Sequence, residues 1–242
     1  MNRLLKLIPL LGVALSISAT RAAETIPLRL LIVGDSTVAD YPATHSNRSW
    51  GQYIEEHFKP GTVKVTNLAK PGRSTKSFIA EGLWKKALAE KPDYVLIQFG
   101  HNDSHSPDKP EATDAATDYK DYLRRYIDES RAIAATPIHI TPMVRRTYAA
   151  GKITENQPPP NRALVSYAIA MKEVAAEKKV AVIDLYSSSK TLAEKLGPQA
   201  SAAMANKQGD ETHFNEKGAR AMADLIMQEL PALAPKLKGA LK

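Results

Sequence analysis

The chain has 242 residues, a formal charge of +7 and no cysteine. Disulfides, thiol chemistry and Cys-based metal sites are thereby excluded, and the core must hold the fold unaided. No basic block is interleaved with aromatics, which argues against a nucleic-acid partner.

Residues 1–23 read as a secretory signal. Arg3 and Lys6 form a positive start, Leu4 to Ala19 is mostly apolar, and small residues allow cleavage after Ala22 or Ala23. Lys6, Pro9, Ser16 and Ser18 interrupt the apolar run, which is too short for a membrane span. No later segment is long and apolar enough to cross, so no membrane partner is expected after cleavage. Arg3, Lys6 and Arg21 carry three of the seven surplus charges, with no acid before Glu24, which leaves +4. That modest excess suits an acidic polysaccharide, although mixed surface charge gives the same count. Residues 24–242 are enough for one domain with a full core, in the periplasm or the medium.

Short apolar runs alternate with longer amphipathic stretches. Leu28 to Val33, Thr62 to Leu68, Asp93 to Phe99, Pro137 to Thr141 and Val180 to Leu185 are predicted strands, apolar enough to be buried on both faces. Helices are predicted over Trp50 to Phe58, Lys76 to Glu90, Thr117 to Ala135 and Asn161 to Lys178. A last one follows Asn215, with Ala219, Met222, Ile226 and Leu230 on one face. This alternation predicts an α/β fold, a parallel sheet covered by helices on both sides. Ser104 to Ala116 and Gly151 to Pro160 are rich in turn residues and read either as walls of a site or as surface insertions.

Ligands of such a sheet bind beyond the carboxyl ends of its strands. Gly34-Asp35-Ser36 follows the first predicted strand, NLAKPGRS (Asn67 to Ser74) the second, and Gly100-His101-Asn102-Asp103 the third. Asp210-Glu211-Thr212-His213 precedes the last helix. Alone, each has a bland reading: a serine after a strand caps a helix, a glycine makes a turn, and a lone histidine is structural. Together they form a hydrolytic set. Ester hydrolysis by serine needs a hydroxyl, a base, a group orienting that base, and N–H donors for the developing oxyanion. Ser36, His213, Asp210, Gly72 and Asn102 can supply these roles from one sheet edge. The Asp-x-x-His spacing lets one short loop carry both the carboxylate and the imidazole.

The four segments GDSTVADYP, AKPGRST, FGHND and DETHFN, in this order, resemble the four blocks of the SGNH (GDSL-type) hydrolase superfamily. GDST, GRST, GHND and the later TPMVRRTY resemble, within it, the rhamnogalacturonan acetylesterase family. The resemblance runs from Leu28 to the last helix. It implies a three-layer α/β/α sandwich of flavodoxin-like type. It also implies Ser36 as nucleophile, His213 as base, Asp210 as its orienting acid, and Ser36 N–H, Gly72 N–H and the Asn102 amide as the oxyanion hole. It implies no metal or organic cofactor. Thr37 stands where the namesake motif has leucine, a departure that touches the subfamily and not the chemistry.

The expected substrate is an acetylated polysaccharide or oligosaccharide, rhamnogalacturonan or pectin first, with acetylated xylan or another short-chain carbohydrate ester as the alternative. Arg145 and Arg146 follow the fourth strand and could clamp a uronate carboxylate, or form surface ion pairs. Two other classes compete. A metal hydrolase could use His101, Asp103 and His105. A non-catalytic carbohydrate binder would need exposed aromatics, and the chain is only 6% aromatic, with both tryptophans, Trp50 and Trp84, in predicted helices where core packing is expected. Oligomeric state is not legible.

Overall fold

The computed structural model describes residues 26–154 and 163–242. The expected signal and residues 155–160 of the second turn-rich segment lie outside them. The chain lays down four strands, β1 (Leu28–Gly34), β2 (Val63–Asn67), β3 (Tyr94–Gln98) and β4 (Thr136–Ile140). A small hairpin follows, β5 (Tyr148–Ala149) and β6 (Lys152–Ile153), and then β7 (Ala181–Ile183). The helices are α1 (Thr75–Ala80), α2 (Leu83–Leu88), α3 (Asp118–Ala132), α4 (Leu164–Lys178), α5 (Leu185–Ala202), α6 (Glu216–Leu233) and α7 (Pro235–Lys238).

Five strands form one sheet in the order β2-β1-β3-β4-β7, every neighbour pair parallel. The five strands expected from the sequence are the five strands of this sheet. Successive side chains of a strand point to opposite faces, and β1 shows it directly. Leu30 and Ile32 pack with Met222, Ile226 and Leu230 of α6, whereas Leu31 and Val33 pack with Phe78, Trp84 and Tyr126 of α1, α2 and α3. Helices therefore cover both faces, and the architecture is α/β with three layers. Trp50 and Trp84 are both core residues.

Two helical expectations change in detail, and one helix was not foreseen. Trp50 to Phe58 forms two 3₁₀ turns, Trp50–Gln52 and Ile54–His57. Lys76 to Glu90 splits into α1 and α2 at Gly82, whose φ of 72° suits a residue without a Cβ and breaks the helical path. α5 was not expected at all: its start runs through Ser187-Ser188-Ser189, residues of modest helix propensity. The Asp184 side chain accepts from Ser187 N–H and so caps the helix start.

The strand order reverses at β1. From there the chain builds outward to β2 on one side and to β3, β4 and β7 on the other. A crevice opens beyond the carboxyl ends at such a switch point, and Ser36 and Asn102 follow the two strands that flank it.

Candidate active site

Immediately after β1 the chain turns on itself around Asp35. The Asp35 carbonyl accepts from Val38 N–H (3.2 Å) and Ala39 N–H (3.0 Å). Its carboxylate Oδ1 accepts both the N–H and the hydroxyl of Thr37, each at 2.8 Å. No helix begins here, so Ser36 does not cap one. Tyr41 donates its hydroxyl to the Ser36 carbonyl at 2.7 Å, which fixes the Ser36 peptide from the other side.

His213 arrives on the loop that leads into α6. Its Nε2 lies 3.0 Å from Ser36 Oγ, and its Nδ1 lies 3.0 Å from Asp210 Oδ2. The second carboxylate oxygen, Asp210 Oδ1, accepts the N–H groups of Thr212 (2.8 Å) and His213 (2.7 Å). Burial works to raise the Asp210 carboxyl. These N–H donors and the imidazole outweigh it and hold the group below its ordinary pKa. An ionised carboxylate can only accept, so Nδ1 carries the imidazole proton and Nε2 faces Ser36 with a free lone pair.

The other two expected groups face the same cavity. Ser36, Gly72, Asn102 and His213 line a space of about 550 Å³, together with Tyr41, His45, His101 and Arg145. Gly72 sits at φ 78°, the left-handed region that suits glycine. Neither Gly72 N–H nor Ser36 N–H makes a hydrogen bond among the described residues. Asn102 donates one amide hydrogen to the Arg73 carbonyl at 3.0 Å. That bond fixes the amide plane and leaves the second hydrogen available. Three donors of the kind an oxyanion needs are thus held around one hydroxyl.

Arg145 and Arg146 part company. Arg145 lines the cavity at 6% exposure, donates Nη2 to the His101 carbonyl (3.0 Å) and to Ser104 Oγ (2.9 Å), and its Nη1 has no partner among the described residues. Arg146 does not line the cavity. At 5% exposure it donates Nη2 to the carbonyls of Asp210 (2.8 Å) and His213 (2.9 Å). Its terminal nitrogens are engaged by main-chain carbonyls, while its Nε has no partner among the described residues. Burial pushes its pKa down to about 10, which leaves it charged at neutral pH.

The three residues weighed as metal ligands take different partners. His101 Nδ1 lies 3.6 Å from Asp35 Oδ2, too long for a hydrogen bond, and burial holds its pKa below the ordinary value. Asp103 accepts from the N–H and hydroxyl of Thr75 and from the Thr113 hydroxyl. His105 Nδ1 lies 2.6 Å from Glu111. Among the described residues no group of three or more His, Asp or Glu is gathered as metal ligands.

Tyr41 and His45 were not legible as cavity residues, and His101 was singled out only as a candidate metal ligand. Tyr41 and His45 stack with centroids 4.7 Å apart, a pairing across a loop that no periodicity announces.

Residues 32–221 match the GDSL-like Lipase/Acylhydrolase family. The chain is 36% identical over 210 residues to the probable rhamnogalacturonan acetylesterase YesY of Bacillus subtilis, covering 84% of this chain and 93% of that protein. It is 36% identical over 231 residues to the rhamnogalacturonan acetylesterase RhgT of the same organism, covering 89% and 94%. The crystal structure of protein YxiM of Bacillus subtilis superposes with a TM-score of 0.71 at 27% identity, over 85% of this chain and 56% of that one. With the family match spanning most of the sheet and every block of the site, the chain belongs to the GDSL-like lipase/acylhydrolase family and is a carboxylic ester hydrolase.

Proposed function

We propose that the chain is an exported serine esterase that removes acetyl groups from plant cell-wall polysaccharide, with rhamnogalacturonan or another pectin as the substrate class. The observation that carries this reading is the run Asp210–His213–Ser36. Its two hydrogen-bond distances are 3.0 Å each, and it opens on a cavity shared with Asn102 and Gly72. Two 36%-identical relatives named as rhamnogalacturonan acetylesterases support the carbohydrate acetyl ester.

In this mechanism His213 Nε2 takes the Ser36 proton as Oγ bonds to the acetyl carbon. The carbonyl oxygen becomes negative toward Ser36 N–H, Gly72 N–H and the Asn102 amide. Collapse breaks the bond to the sugar oxygen, which leaves with the proton from His213. Water then attacks the acetyl-Ser36 ester, gives its proton to His213, and acetate departs as Ser36 recovers its hydrogen. Asp210 holds the tautomer and stabilises the imidazolium in both halves.

Arg145 supports the acidic substrate. Its guanidinium stands buried at the cavity wall, where its positive charge would favour a uronate-bearing substrate. Export rests on the composition of residues 1–23. The test is acetate release from acetylated rhamnogalacturonan, homogalacturonan, xylan and a simple acetyl ester, with Ser36→Ala as control. Release fastest from rhamnogalacturonan and absent in the variant is expected. Faster release from xylan would overturn the substrate, and an active Ser36→Ala enzyme the mechanism. N-terminal sequencing of protein recovered outside the cytoplasm, starting near residue 24, would test export.

A further inference from the structure

We propose that Arg146 is a positioning residue: it grips the backbone of the Asp210–His213 loop and so sets where the imidazole stands relative to Ser36. The inference rests on reading Ser36, His213 and Asp210 as the reacting set.

The loop offers four successive carbonyls, and Arg146 meets all of them. Nη2 donates to Asp210 O (2.8 Å) and His213 O (2.9 Å), and Nη1 reaches Thr212 O at 3.5 Å. The Arg146 main-chain N–H donates to Glu211 O at 2.8 Å. A loop with no ladder of its own must find donors elsewhere for such groups. Here Arg146 supplies one to each, and the Asn206 N–H adds a second for the His213 carbonyl at 3.4 Å.

The guanidinium is fixed in turn. Its Cζ lies 4.2 Å from the centroid of the Phe214 ring, which follows His213 directly. No carboxylate forms an ion pair with it among the described residues; carbonyl oxygens, the ring face and the field of Asp210 balance its charge. The neighbouring Thr147 hydroxyl adds a bond of 2.5 Å to the Glu211 carboxylate.

Arg145 leaves the same segment toward the other half of the site. It bonds the His101 carbonyl and Ser104 hydroxyl, on the turn that carries Asn102. The segment after β4 is therefore tied to both the base loop and the oxyanion loop. A planar fork can hold several carbonyls at once, and an ammonium on a flexible stem cannot match it. A shift of the base by ~1 Å costs about a hundredfold in rate.

The experiment compares Arg146→Ala with wild type on a small neutral acetyl ester and on an acidic acetylated oligosaccharide. kcat is expected to fall about a hundredfold on both, with KM within about twofold. The downfield proton resonance of His213 Nδ1–H, sharp in the wild type, is expected to broaden or disappear. Where Arg146→Ala does not fold, Arg146→Lys keeps charge and bulk, and a kcat loss of at least about tenfold is expected. Wild-type kcat in the folded variant, or a KM rise confined to the acidic substrate, would overturn the proposal. Ser36→Ala, run alongside, separates the two readings. If it is inactive while Arg146→Ala is normal, only the brace falls; if it is active, the assignment of the reacting set falls.

Discussion

Thr37 donates both its N–H and its hydroxyl to one oxygen of Asp35, each at 2.8 Å, and thereby closes the turn that presents Ser36. The same hydroxyl accepts from Gln98 Nε2 at 2.8 Å, and Gln98 Oε1 accepts from Trp50 Nε1 at 2.9 Å. The residue that departs from the namesake motif is thus the junction of a buried polar chain running from the core to the nucleophile turn. Thr37→Val keeps the shape and removes the hydroxyl, leaving the Gln98 amide without its acceptor. An unsatisfied buried donor costs about 1–3 kcal/mol. The melting temperature should fall by several degrees at neutral pH, as calorimetry would read. An unchanged value would show that the chain carries no stability.

Asp210→Asn tests the tautomer argument. An amide that donates toward His213 Nδ1 would drive the proton to Nε2, where it cannot accept from Ser36. The expected loss is about 10⁴ in kcat on an acetylated sugar, with KM little changed. Steady-state kinetics decide it, and a loss below tenfold would remove Asp210 from the set.

Asn102→Ala withdraws one donor from the position where the oxyanion forms. kcat should fall by about 10²–10³ with little effect on KM. Because the Asn102 amide also donates to the Arg73 carbonyl, Asn102→Asp, which keeps the size and loses the donor, should lose activity as well. Retained turnover in both variants would place the hole elsewhere.

Asp103 makes a prediction about pH and stability. Burial raises its pKa from 3.8 to about 7, against the opposing pull of the Thr75 and Thr113 donors. The folded chain therefore holds this proton more tightly than the unfolded chain. Its contribution makes stability decline as pH climbs from about 3.8 to about 7, with no further decline above. Asp103→Asn should remove that component. Melting curves of both proteins at closely spaced pH values give the difference, and parallel curves across the window would contradict it.

The sheet was readable because its strands are apolar on both faces. Ile32 and Val33, buried against opposite helix layers, gave β1 a continuous run that no amphipathic helix would show. Ser36, Gly72 and Asn102 were readable as neighbours of one cavity because parallel topology sends strand ends to one edge, and Asp210 and His213 as a pair because their spacing lets one loop carry both. What escaped was set by contacts between distant side chains. Neither Arg145 nor Arg146 betrays in sequence which of them faces the cavity, since both are arginines after the same strand. Tyr41 lies within the first block, yet only the folded loop returns its hydroxyl to the Ser36 carbonyl. The Ser-rich start of α5 carries little helix signal of its own, and the Asp184 side chain that caps it is placed only by the fold.

The hydroxyl and its base are 177 residues apart, one at the exit of the first strand and the other at the threshold of the last long helix. A ribosome must therefore deliver almost the whole chain before the Ser36–His213 pair can form. Until α6 docks, with Ala219, Met222, Ile226 and Leu230 closing one side of the core, Ser36 has no proton acceptor beside it. Under the proposed mechanism, fragments that stop short of residue 213 lack the base, however well their first strands pair, so activity doubles as a report that folding has reached its C-terminal end.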